Sequence, residues 1–137
     1  LSYRYLHSEG FYGGIMQLQP FQSKHRGIVF LQYQTRNNWY FDWVCQINGA
    51  KRLPYFSNPN IGIISTWMPG YSTTYTVFNI QIRKDWKQWE FYTGTENLLN
   101  VNQNNPILDV GGKFDAGYAW GPTNGRTAYF GFRWKIK

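Results

Sequence analysis

Glu90 and Glu96 are the first residues whose types suggest chemistry, because two facing carboxyl groups can cleave a glycosidic bond. They stand in "KQWEFYTGTEN", a stretch that alternates apolar and polar residues as a strand does. Six positions on an extended chain span about 20 Å, too far for either hydrolytic geometry. His7 and His25 have no nucleophile at a suggestive spacing. The single cysteine, Cys45, excludes an intramolecular disulfide framework, and no Cys/His cluster has metal-ligand spacing. Asp109 and Asp115 lie near glycines, but their spacing fits no EF-hand loop, so they read as solvated turn residues. No metal, no cofactor and no enzymatic activity is expected. The remaining candidates are aromatic. Trp67, Tyr71, Tyr118 and Trp120 sit in stretches rich in Gly and Pro, where rings can stack on sugars or flat chelates. Trp67 and Tyr71 fit ligand contact or local packing equally. Trp120, in "AWGPTNGR", fits packing of its own loop better.

The elements that position these residues are strands. Six segments have period-two alternation, at about 1–8, 25–36, 39–49, 73–84, 87–97 and 126–137. In the third, Trp39, Phe41, Trp43, Cys45 and Ile47 fall opposite Tyr40, Asp42, Val44, Gln46 and Asn48. In the last, Ala128, Phe130, Phe132, Trp134 and Ile136 fall opposite Tyr129, Gly131, Arg133 and Lys135. The connections also alternate. "RNN" and "DW" are tight turns, whereas 9–24, 50–72 and 98–125 are long. Short turns at one end and long loops at the other is the plan of an outer-membrane barrel. On that plan Trp39, Trp86, Trp89 and Trp134 cluster at the short-turn interface as an aromatic girdle.

Composition agrees with a two-faced β protein. Aromatics make up 20% of the 137 residues, and charged residues 15%, against about 25% in a typical soluble domain. The net charge is +7, but the Lys and Arg are scattered and no nucleic-acid module is present, so nucleic acid is not an expected partner. No stretch approaches the roughly 20 apolar residues of a membrane helix. The first residue, Leu1, already lies in a strand-like pattern, which suggests part of something longer. A soluble ligand-binding β-barrel and a carbohydrate-binding β-sandwich remain open on these grounds, since either buries an apolar strand face. The scarcity of charge on the polar side favours a lumen.

Four stretches carry a resemblance. "FQSKHRG", "LQYQTRNNWYFDWVCQINGAKRLP", "WEFYTGTENLLNVNQNNPILD" and "FDAGYAWGPTNGRTAYFGFRWKIK" together resemble the final barrel hairpins of Bacteroidetes-type TonB-dependent outer-membrane receptors, from about Pro20 to Lys137. The ordered set "GTENLLN", "NPI", "WGP" and a terminal aromatic strand carries the likeness; the ending departs from the family's frequent terminal aromatic by closing on Lys137. The resemblance implies an all-β antiparallel segment of about six strands within a barrel of about 22, filled by a plug. It implies import of a scarce nutrient (glycan, metal chelate, vitamin or peptide) across the bacterial outer membrane. The implied partners are the rest of the barrel and plug, in the same or a separate chain, the barrel assembly machinery and membrane lipid. The TonB system would act indirectly, and a surface lipoprotein caps some members. On this reading Phe130, Phe132, Trp134 and Ile136 of the closing strand face lipid, as does Cys45. Arg83, Glu90, Glu96 and Arg133 face the lumen, and the four loop aromatics are the ligand candidates.

Overall fold

The computed structural model describes residues 1–53, 70–103 and 119–136. These residues are all-β. The strands are β1 (Ser2–Tyr5), β2 (Glu9–Tyr12), β3 (Ile15–Leu18), β4 (His25–Gln34), β5 (Trp39–Asn48), β6 (Tyr75–Trp86), β7 (Trp89–Glu96) and β8 (Thr127–Trp134). Six form one antiparallel sheet in the order β1-β4-β5-β6-β7-β8, and β2 and β3 pair separately as a hairpin. Each of the six alternating segments supplies one strand of the sheet. The sheet is not closed: β1 and β8 each pair on one side only.

Two connections differ from expectation. The stretch 9–24, expected as a loop, contains the β2–β3 hairpin. Its two-residue turn is Gly13-Gly14, both with positive φ (59° and 82°), a turn that suits the strand twist and that only glycine enters freely. The second tight turn is Lys87-Gln88 rather than Asp85-Trp86, because Trp86 pairs directly with Trp89. The first is closed by the Asn38 amide donating to the Thr35 carbonyl (3.2 Å), with Asn38 in the left-handed region at φ 59°, where Asn is tolerated.

Register makes each strand's parity into one of two continuous surfaces. On one face Leu31 lies beside Trp43, Trp43 beside Ile80, and Cys45 beside Phe78. Farther across, Phe91 lies beside Phe132 and Thr93 beside Phe130. This face has no carboxylate at any paired position, and its one permanent charge is Lys84, at the short-turn end. The opposite face holds Arg4, Arg26, Asp42, Arg83, Asp85, Glu90, Glu96 and Arg133.

Among the described residues neither face encloses a core. Among the described residues Leu53 is the only buried hydrophobic one, at 3% exposure. Leu31, Trp39, Ile47, Trp86, Phe130, Phe132 and Trp134 are all exposed. A soluble domain needs a second layer over such a sheet, and nothing among the described residues supplies one.

Candidate functional site

The polar face has two ends of different character. At the short-turn end, pairing puts Asp85 directly opposite Glu90, two carboxylates side by side. Like charges so placed repel, and three cations offset them. Arg133 Nη1 lies 3.1 Å from Glu90 Oε1. Lys135 Nζ reaches both acids, at 3.3 Å from Glu90 Oε2 and 3.8 Å from Asp85 Oδ2. Arg83 Nε is 3.8 Å from Asp85 Oδ1, and its guanidinium lies over the Tyr40 ring at 3.9 Å. Glu90 is 5% exposed, while the Arg133 and Lys135 side chains that reach it are 65% and 50% exposed. Arg83, Glu90 and Arg133 are thus brought into one cluster, as the polar parity implied. Glu96 is not part of it: it stands at the far end of β7, opposite Thr127.

Between the ends, two tyrosines lie across glycines. Tyr92 pairs with Gly131 and Tyr129 with Gly94, so each ring covers the bare backbone of the next strand. A Cβ at Gly131 would run into the Tyr92 ring, and one at Gly94 would meet Tyr129 and the Ile80 carbonyl. The Tyr129 hydroxyl donates to Gln81 Oε1 at 2.8 Å.

At the long-loop end the β1–β4 side carries positive charge, while Glu96 stands apart at that end of β7. Arg4 pairs directly with Arg26, and Arg26 with Asn48. Both arginines border a polar cavity of about 430 Å³ together with Lys51, Ser23, Asn48 and Tyr75. Lys51 and Arg52 project to opposite sides. Lys51 Nζ donates to the Trp120 carbonyl (2.6 Å) and the Tyr75 hydroxyl (3.4 Å). Arg52 ties down the β2–β3 hairpin through the Leu18 carbonyl, Gln17 Oε1 (2.8 Å) and the Tyr12 ring (4.8 Å).

Of the aromatic candidates, Trp67 and Tyr118 lie outside the described residues. Trp120 packs its ring on Tyr75, centroids 6.0 Å apart, and its backbone amide and that of Gly121 donate to Gln103 Oε1 at 2.7 and 2.9 Å. Tyr71 is exposed, forms a bridge with Arg52, and borders a cavity of about 580 Å³ with Tyr3, His25 and Ile47. Tyr3, His25 and Ile47 belong to the apolar face, and Arg26 borders this cavity as well as the polar one. Phe130, Phe132 and Trp134 share the apolar face, and Ile136, just beyond β8, is exposed.

Sequence reasoning missed the groups that tie the ends of the third long connection together. The Asn97 side chain, at φ 49°, donates to the carbonyls of Val101 (2.8 Å) and Asn124 (3.1 Å) and accepts from the Val101 amide (2.9 Å). Asn100 Oδ1 accepts from the Arg126 amide at 2.9 Å. "GTENLLN" and "WGPTNGR" are therefore one knitted unit. It also missed Arg4, Arg26 and Lys51, whose convergence depends on β1 pairing with β4. No metal-binding group of three or more His, Cys, Asp or Glu side chains occurs among the described residues.

Comparison of the chain with protein-family models, with curated proteins and with solved structures finds no match.

Proposed function

We propose that this chain forms the closing section of the wall of a TonB-dependent importer in the bacterial outer membrane, with its apolar face in lipid and its polar face toward a plugged lumen. The observation that carries the reading is the continuous apolar face, which no described residue covers across six strands and which is free of carboxylate at every paired position. In lipid such a face needs no second layer.

Three further features support it. The ten residues of β4 and of β5 extend about 30 Å, which at the tilt of a membrane barrel spans an apolar band of about 25 Å. Trp39, Trp86, Trp89 and Trp134 stand on the apolar face at the short-turn end, with Trp89 and Trp134 stacked at 5.9 Å. That is the placement of an interfacial girdle. Lys84, the one permanent charge on this face, lies over the Trp39 ring at 5.1 Å and donates to the Asn37 carbonyl, its head drawn toward the turn as at a membrane surface.

Six strands do not close, since about eight is the minimum for a membrane barrel. The free edges of β1 and β8 would leave unpaired backbone groups in lipid. Further strands must therefore pair with both edges, and in the receptor reading β8 meets the barrel's first strand. The plug, the barrel assembly machinery, the TonB system and a capping lipoprotein follow from the resemblance alone.

Expressed alone, the chain should give no heat-resistant band on a gel; with its remaining strands it should. In the assembled protein Cys45 should react with a membrane-dissolved maleimide and not with an aqueous one. A monodisperse, detergent-free monomer would overturn the reading.

A further inference from the structure

We propose that the long-loop end of the polar face binds an anionic group, a phosphate or a carboxylate carried by the solute, through Arg4, Arg26 and Lys51. The inference rests on the wall reading only for its placement, at the loop-side mouth of the lumen.

The contrast between two pairs of opposed like charges carries it. Asp85 and Glu90 face each other and are offset by Arg133, Lys135 and Arg83. Arg4 and Arg26 face each other in the same way, across β1 and β4. Neither makes an ion pair or a side-chain hydrogen bond among the described residues. Direct opposition of like charges destabilises a strand pair. The chain relieves it at one end and leaves it standing at the other.

The surroundings suit an anion. Among the described residues no carboxylate borders the cavity. Each guanidinium presents a planar fork of donors that matches the oxygens of a carboxylate or a phosphate. Lys51 adds an ammonium held in place by Trp120 and Tyr75, which engage two of its three donors and leave the third. Ser23, Asn48 and Tyr75 add polar groups on the same wall. At about 430 Å³ the cavity has the size of a small-ligand site. A solute bound by this end would present its negative group to the arginines on entry.

The test uses the native, detergent-solubilised protein with whatever chains remain attached. Arg4 and Arg26 are modified with phenylglyoxal and followed by mass spectrometry, in inorganic phosphate, in citrate, and in chloride at matched ionic strength. Phosphate or citrate should slow modification of both arginines about tenfold at about 10 mM, and chloride should not. Arg126, an exposed arginine outside the cavity, should react equally in all three salts. In calorimetry with the more protective anion, Arg4→Gln and Arg26→Gln should each weaken binding about tenfold or more, while Arg133→Gln leaves it unchanged. Equal modification of Arg4 and Arg26 in all three salts overturns the proposal, because it means that no anion occupies the site. So does protection that survives in Arg26→Gln at Arg4. The same preparations are run heated and unheated on a gel. A heat-resistant barrel without anion protection sinks this proposal alone, and a missing barrel sinks the wall reading instead.

Discussion

On the apolar face, neighbouring strands meet through rings and branched chains: Trp89 stacks on Trp134 at 5.9 Å, and Trp89 stands 5.9 Å from Phe132. On the polar face the same strands meet through Tyr92 over Gly131, Tyr129 over Gly94, and Glu90 held by Arg133 and Lys135. The first set of contacts is tolerant. A ring one step along would still find a ring or an aliphatic neighbour. The second set is not: a two-residue slip, which keeps every side chain on its own face, would take Tyr92 off Gly131, Tyr129 off Gly94 and Glu90 off Arg133. The apolar face therefore supplies attraction to its surroundings, and the polar face supplies register. The two surfaces should respond differently to substitution.

The largest difference is expected where charge enters. Ile80 lies at mid-sheet on the apolar face, between Trp43 and Thr95. If the apolar face lies in lipid, as proposed, Ile80→Arg should lower the unfolding free energy by about 2–4 kcal/mol. Val44 is on the polar face, two residues from Asp42 and opposite Asn79. Val44→Arg should change stability by less than about 1 kcal/mol. Denaturant titration of both variants measures the gap. Equal costs would mean that the two faces share one environment, and the comparison would fail.

A smaller loss is expected from filling the glycines. At Gly94 a Cβ would lie 2.7 Å from the Ile80 carbonyl, which is backbone and cannot rotate away. At Gly131 the obstruction is the outer end of the Tyr92 ring, which can shift. Gly94→Ala should cost about 1–3 kcal/mol, and Gly131→Ala less. The reverse order would mean that the tyrosines, not the strand spacing, set the limit.

How much of this was legible follows the same division. Parity was readable because each strand borders two unlike environments, so the alternation in "WYFDWVCQIN" or "TAYFGFRW" survives in the sequence as a period of two. The β2–β3 hairpin was not, since four-residue arms around Gly13-Gly14 are too short to display a period. Asp85 was read as a turn residue because Asp favours turns; its pairing with Glu90 moved the turn two residues on, to Lys87-Gln88. The Arg4–Arg26 opposition was hidden because it depends on register between strands joined by 19 intervening residues, from Leu6 to Lys24. For the same reason the Asn97 knot could be quoted as a motif but not built: its partner Asn124 comes from the far end of the same long connection.

The smallest effects test the two opposed like-charge pairs against each other, and their signs should differ. Lys135→Met removes a cation shared by Asp85 and Glu90, and leaves those two acids to Arg83 and Arg133. Because the Lys135 side chain is half exposed (50%), water screens much of the loss, and a cost of about 0.5–1 kcal/mol is expected. Arg26→Gln removes one member of a pair of cations that no described carboxylate offsets. In the anion-free protein it should therefore raise stability, by about 0.2–1 kcal/mol. Added phosphate should narrow or reverse that gain, since a bound anion stabilises the parent and not the variant. If Arg26→Gln destabilises the protein without any added anion, a carboxylate from elsewhere in the protein already answers Arg4 and Arg26. The two ends of the polar face would then be alike, each closed by its own counter-charge.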